Sequence, residues 1–164
     1  MDIVDFWNKQ VTKWQEDQKC GLCWEFGAPL VNSQINIQQS AEPCCVQVML
    51  TNIRYRKNIV RNNITQFITS ESCTWTATVY AVQEMPIGVN NYNEIKDHPI
   101  SESKWTTVFN PILECLGCEN LLDYCVILGK DVIINQIGDA ELIHNYLDKN
   151  LNGWRITYSF TFNN

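Results

Sequence analysis

The chain has 164 residues, 45% of them apolar and 18% charged, with eight cysteines and six each of Trp, Tyr and Phe. That is enough for one globular domain with a real hydrophobic core. A net charge of −6 argues against a general nucleic-acid binder, and the acidic start Met1-Asp2-Ile3-Val4-Asp5 is unlike a signal peptide; with no apolar run near the roughly 18 residues that span a bilayer, a soluble, non-secreted protein is expected.

Asp2 is placed to cap a first helix and Asp5 to face its positive end, while Ile3, Trp7, Val11 and Trp14 recur at helical spacing. Lys9, Gln10, Lys13 and Gln15 fall elsewhere on the wheel, so an amphipathic helix should lay its Trp stripe on a sheet. Its polar face has too little positive charge to favour a membrane surface. Cys20-Gly21-Leu22-Cys23-Trp24 follows, then a polar linker from Asn32 to Glu42. Pro43 marks the entry to a strand, Cys44 to Thr51, with Cys44, Val46, Val48 and Leu50 on one face.

Between Ile53 and Thr69 the alternation turns polar, with Arg54, Arg56, Lys57 and Arg61 and a turn signal at Asn62-Asn63. This predicts an extended hairpin or arm projecting from the sheet. Ser72 to Glu84 is a second strand, in which Trp75, Ala77, Val79 and Ala81 oppose Thr74, Thr76, Thr78, Tyr80 and Val82. A threonine-lined strand face suits contact with another layer or another subunit.

Pro86 to Pro99 has the composition of a loop, and Ser101 can cap a second amphipathic helix carrying Trp105, Val108, Phe109, Ile112 and Leu116. Pro111 should kink or restart it with Asn110 as a new cap, and Gly117 is a candidate end. Leu121 to Leu128 fits a helix or a strand equally well. Val132 to Ile137 reads as a strand and Asp139 to Lys149 as a short helix with Leu142, Ile143 and Leu147 inward, with Asn152-Gly153 as a turn.

The last segment alternates Trp154, Ile156, Tyr158, Phe160 and Phe162 with Arg155, Thr157, Ser159 and Thr161, the signature of a half-buried strand. Five large apolar side chains on one face require a central or well-packed position. The whole predicts an α+β fold, a mainly antiparallel β-sheet packed by two amphipathic helices with a projecting polar hairpin or arm at about 53–69, in a single domain spanning 1–164.

Cysteines stand at 20, 23, 44, 45, 73, 115, 118 and 125. A chain able to form its own core, without an export signal, favours reduced thiols, with Cys73 and Cys125 as buried small hydrophobes. The pairs Cys20/Cys23 and Cys115/Cys118 have CxxC spacing, which allows a tetrahedral zinc or dithiol exchange and makes a small cytosolic zinc-binding or redox domain the alternative function. The 91 residues between Cys23 and Cys115 far exceed a zinc-finger spacing, so no cysteine is expected to be a metal ligand or catalyst. His98 and His144 are isolated, no Gly-rich phosphate loop or Gly-x-Ser-x-Gly is present, and the sequon Asn63-Ile64-Thr65 lacks an export signal. No enzyme and no cofactor are expected.

Arg54, Arg56, Lys57 and Arg61 place four of the twelve basic residues within eight positions, leaving −10 on the rest of the chain against +4 on the arm. Such asymmetry favours docking onto an acidic neighbour, and an identical chain offers one. A solvated hairpin has nearly equal standing, and contact with DNA is weaker because only four phosphate-seeking groups are available.

The Asp5-Phe6-Trp7 helix, the Thr-rich strand Thr74-Trp75-Thr76-Ala77-Thr78-Val79-Tyr80, a following helix and the terminal Gly153-Trp154-Arg155-Ile156-Thr157-Tyr158-Ser159-Phe160 strand resemble small virion proteins of tailed bacteriophages. The pattern is similar to tail-terminator and head–tail connector proteins that stack as rings below the portal, including the neck ring proteins of crAss-like phages. It covers most of the chain as an order of elements, and the CxxC pairs are no part of it. The resemblance implies a structural virion protein without an active site, joining the portal to neck or tail components. It implies a homo-oligomeric ring, twelvefold to match a portal or alternatively sixfold to match a tail tube, with DNA at most passing through the lumen. Arg54, Arg56, Lys57, Arg61, Thr74, Thr76 and Thr78 are the expected subunit-interface residues.

Overall fold

Period-two alternation of apolar side chains builds one five-stranded sheet, described by a computed structural model over residues 3–27, 45–84, 109–121, 132–146 and 151–163. In chain order the elements are α1 (Ile3–Glu16), β1 (Trp24–Phe26), β2 (Val46–Arg61), β3 (Ile68–Glu84), α2 (Asn110–Cys115), α3 (Cys118–Leu121), β4 (Val132–Tyr146) and β5 (Leu151–Asn163). The strand order is β1-β2-β3-β5-β4, with β1 parallel to β2 and every other pair antiparallel. This is the expected α+β class with a mainly antiparallel sheet.

β5 lies between β3 and β4, paired along both edges, and its aromatic face lies under α1. Helix α1 buries Ile3, Phe6, Trp7, Val11 and Trp14, the stripe expected from helical spacing together with Phe6. The helix meets the sheet through rings: Phe6 and Phe160 centroids are 4.9 Å apart, Trp7 and Tyr158 5.7 Å, and Trp14 and Trp24 4.8 Å. Burial of each such side chain contributes about 1.5–3 kcal/mol, with ring pairing adding about 0.5–1.5 kcal/mol, so this seam is the main source of stability. Of the polar atoms that come with it, Trp154 Nε1 donates to the Phe109 carbonyl at 2.8 Å and the Tyr158 hydroxyl to that of Leu116 at 2.5 Å, while Trp7 Nε1 and Gln10 Oε1 are buried without a partner among the described residues.

Several local expectations give way to tertiary pairing. The strand and the arm are one continuous hairpin, β2 and β3, turning at residues 62–67. Asn62 makes the turn, its side-chain oxygen accepting from the backbone N–H groups of Ile64 and Thr65 at 2.8 and 2.9 Å. The helix expected over Asp139 to Lys149 is instead the second half of β4 as far as Tyr146. Gly138, at φ 75°, accompanies a register shift between Ile137 and Glu141, after which Glu141, Leu142 and Ile143 pair with Arg155, Trp154 and Gly153. Leu142 and Ile143 are neighbours on opposite faces of the strand, Leu142 opposite Trp154 and Ile143 against the Met49, Tyr80, Val82 and Leu151 cluster, so their apolar character does not reflect one helical face.

Asn152-Gly153 is strand rather than turn, and Gly153 is required by crowding: a Cβ there would lie 2.0 Å from the Ala81 carbonyl oxygen. The short strand β1 has too few residues to show a period and was not expected. Pro111 falls in the first turn of α2, with Phe109 rather than Asn110 at the cap, and Gly117 separates α2 from α3. Asp2, the linker Asn32 to Glu42, the Pro86 to Pro99 loop, residues 101–108, most of Leu121 to Leu128, Lys149, His98, Cys44 and Cys125 lie outside the described residues.

Candidate interaction surface

The sheet has one face under α1 and one that no described helix covers. On that second face the register aligns Arg54 with Thr76 and Ser159, and Arg56 with Thr74 and Thr161, while Thr78 stands opposite Thr157. Hydroxyl pairs Thr74–Thr161, at 3.2 Å, and Thr78–Thr157, at 2.9 Å, tie β3 to β5. Ile133 and Ile137 extend the face across β4, opposite Thr161 and Thr157, and both are exposed. Met49, Tyr80, Val82 and Leu151 form a small apolar cluster of their own.

The seven expected interface residues therefore separate. Arg54, Arg56, Thr74 and Thr76 share the open face, and neither arginine has an ion-pair partner among the described residues. Thr78 is buried, and its hydroxyl is engaged within the sheet. Lys57 falls on the opposite face, where it pairs with Glu71 at 2.6 Å, and the carboxylate's hydrogen bond and charge raise its pKa. Arg61 donates to the Gln66 carbonyl at 3.0 Å and braces the turn. Beside Lys57, Tyr55 stacks on Trp75 at 4.7 Å and shares a 3.2 Å hydrogen bond with Cys73, which raises the phenol pKa.

Pairing between β3 and β5 starts at Ser72 opposite Asn163, so Ile59–Glu71 continues as a two-stranded ribbon beyond the sheet. The arm is less polar than its sequence suggests. Ile64 is 91% and Phe67 76% exposed, with Ile59, Val60 and Ile68 also open to solvent. Sequence reasoning centred on the arginines and passed over these residues, although Ile64 and Phe67 stand among Asn and Gln in a turn, where apolar groups have no core to enter.

The cysteines depart from the expectation of reduced thiols. Cys20 is bonded to Cys115 and Cys23 to Cys45, closing sequence separations of 95 and 22 residues. Helix α1 and the α2–α3 pair lie on the same side of the sheet, which brings one member of each CxxC together. Disulfide sulfurs are not metal ligands, so Cys20, Cys23 and Cys115 cannot supply the thiolates a zinc site needs, and no group of three or more His, Cys, Asp or Glu among the described residues is placed to hold a metal ion. Cys73 and Cys118 are free and half-buried; Cys73 is thus not the fully buried thiol expected. Cys118 holds the CxxC position relative to bonded Cys115, but burial pushes its thiol pKa up, against a smaller opposing effect of the Gln136 backbone N–H. A thiol held protonated is a poor attacker in dithiol exchange.

No family model matches the sequence and no curated protein matches it.

Proposed function

We propose that this chain is a structural virion protein that forms a homo-oligomeric ring in the neck or tail of a tailed bacteriophage, joining the portal to tail components. The observation that carries the reading is the projecting Ile59–Glu71 ribbon with Ile64 and Phe67 at its tip. A two-stranded ribbon is marginal in water by itself, and apolar side chains at its end gain only when another surface covers them. The basic residues at its root suit the acidic remainder of an identical chain. Repeating one head-to-tail contact by rotation covers every ribbon and closes a ring.

The disulfides fit this assignment, since such bonds persist on particles that leave the reducing cytosol. The protein would fold in the host cytoplasm and end in the virion, with itself, the portal and the adjacent neck proteins as partners. Neither an enzymatic role nor a bound cofactor belongs to this reading. Sedimentation of the purified chain, alone and with the portal of the same virus, tests it: a closed ring or a portal-bound ring is the expected species. A monomer at high concentration under both conditions overturns it.

A further inference from the structure

Among the described strands, the sheet ends in β2 on one side, beyond the short β1, and β4 on the other, and the two edges carry charges of opposite sign. β1 pairs with β2 only from Val46 to Val48, so the outer edge of β2 from Met49 to Arg61 has no strand beside it among the described residues. At the other end β4 is terminal from Val132 to Tyr146. The β2 edge carries Arg54 and Arg56, with Lys57 held by Glu71 and Arg61 by the turn, and exposed Ile59 and Val60; the β4 edge carries Asp139 and Glu141, the latter ion-paired with Arg155 of its own chain, with exposed Ile133, Ile137 and Leu142.

We propose that the β2 edge of one copy pairs with the β4 edge of the next, extending the sheet from subunit to subunit; this rests on the ring reading above. Strand directions allow it. β2 and β5 run one way and β3 and β4 the other, so a rotated copy sets its β2 antiparallel to the neighbour's β4 with the hydroxyl face kept on the same side. Charge fixes the choice of partner. Two β2 edges set Arg54 and Arg56 against their own kind, two β4 edges set Asp139 against Asp139, and only the head-to-tail pair brings Arg54 and Arg56 against Asp139 and against Glu141, which then shares its carboxylate between Arg155 and the neighbour. Charged side chains and bulges are also how natural sheets keep edges monomeric. That use needs no opposition of sign between the two edges of one sheet, and the opposition is what gives the contact a direction.

A mixing experiment tests the pairing. The variants R54E/R56E and D139R/E141R each carry like charges on both edges, and each should assemble roughly tenfold less than wild type in low salt. Mixed in equal amounts they should alternate and recover assembly, which also shows that both are folded. In the assembled wild type, backbone amides of β4 should exchange more slowly with deuterated solvent than in the dissociated chain. If each variant assembles as wild type does, if mixing restores nothing, or if β4 amides exchange equally fast in both states, the edges are not the contact and the ring reading stands on its own. If wild-type protein never assembles, both fall together.

Discussion

Gly153 shows how one missing side chain sets strand spacing. Its Cα faces the Ala81 carbonyl so closely that a Cβ would fall 2.0 Å from the oxygen, and backbone cannot swing aside as a side chain can. Gly153→Ala should therefore destabilise the fold by about 1–3 kcal/mol or more, read as a lowered denaturant midpoint. An unchanged midpoint would mean that β3 and β5 are further apart than described. Tyr158 offers a pH test. Burial raises its phenol pKa far above the ordinary 10.0, so the folded chain keeps the proton that the unfolded chain releases. Stability from this group is complete below pH 10.0 and should fall as pH rises above it, by up to about 1.4 kcal/mol per pH unit. Denaturant melts at pH 8, 10 and 11 measure this slope, and Tyr158→Phe should flatten it. An equal slope in the variant would place the effect elsewhere.

Strand and helix identity were legible wherever the period was clean. The alternation of β5 from Trp154 to Phe162 and the stripe of α1 predicted both elements and the faces they bury. The second half of β4 was not legible, because the register shift at Gly138 interrupts the strand and the stretch after it carries apolar residues on both faces, Leu142 on one and Ile143 on the other, so that only pairing with β5 shows it to be strand. The disulfides were hidden for a different reason: sequence spacing says nothing about which cysteines the sheet and helices bring together. Closing loops of 95 and 22 residues should contribute about 2–4 kcal/mol each, more for Cys20–Cys115. Reductant should accordingly lower the denaturant midpoint, Cys20→Ser should remove somewhat more than half of that sensitivity, and Cys20→Ser with Cys23→Ser should remove it all. A midpoint indifferent to reductant would show that the bonds do not carry stability. The hairpin tip behaves in the opposite manner. Phe67 touches no core, so Phe67→Ser should leave folding stability within about 0.5 kcal/mol while weakening assembly. Lost stability with assembly intact would make the ribbon a folding element instead of a contact.

At the scale of the molecule, three features lie in one chain: an aromatic seam that completes the core, a sheet whose two end strands among the described residues carry opposite charge, and an apolar-tipped ribbon beyond it. The first gives the subunit a buried core of its own, and the other two leave surface that rotation onto a second copy would cover. Residues for the candidate surface were partly legible: Arg54, Arg56, Thr74 and Thr76 do share a face, while Ile64 and Phe67 were obscured by the polar residues around them. The most direct measurement of the proposed ring is a cryo-EM reconstruction of the neck and tail of the phage that, on this proposal, would encode the chain. A closed ring layer into which this chain fits is expected, with each Ile59–Glu71 ribbon lying on the adjacent subunit; virions that lack the chain, or hold it as isolated copies outside the neck and tail, would overturn the proposed ring.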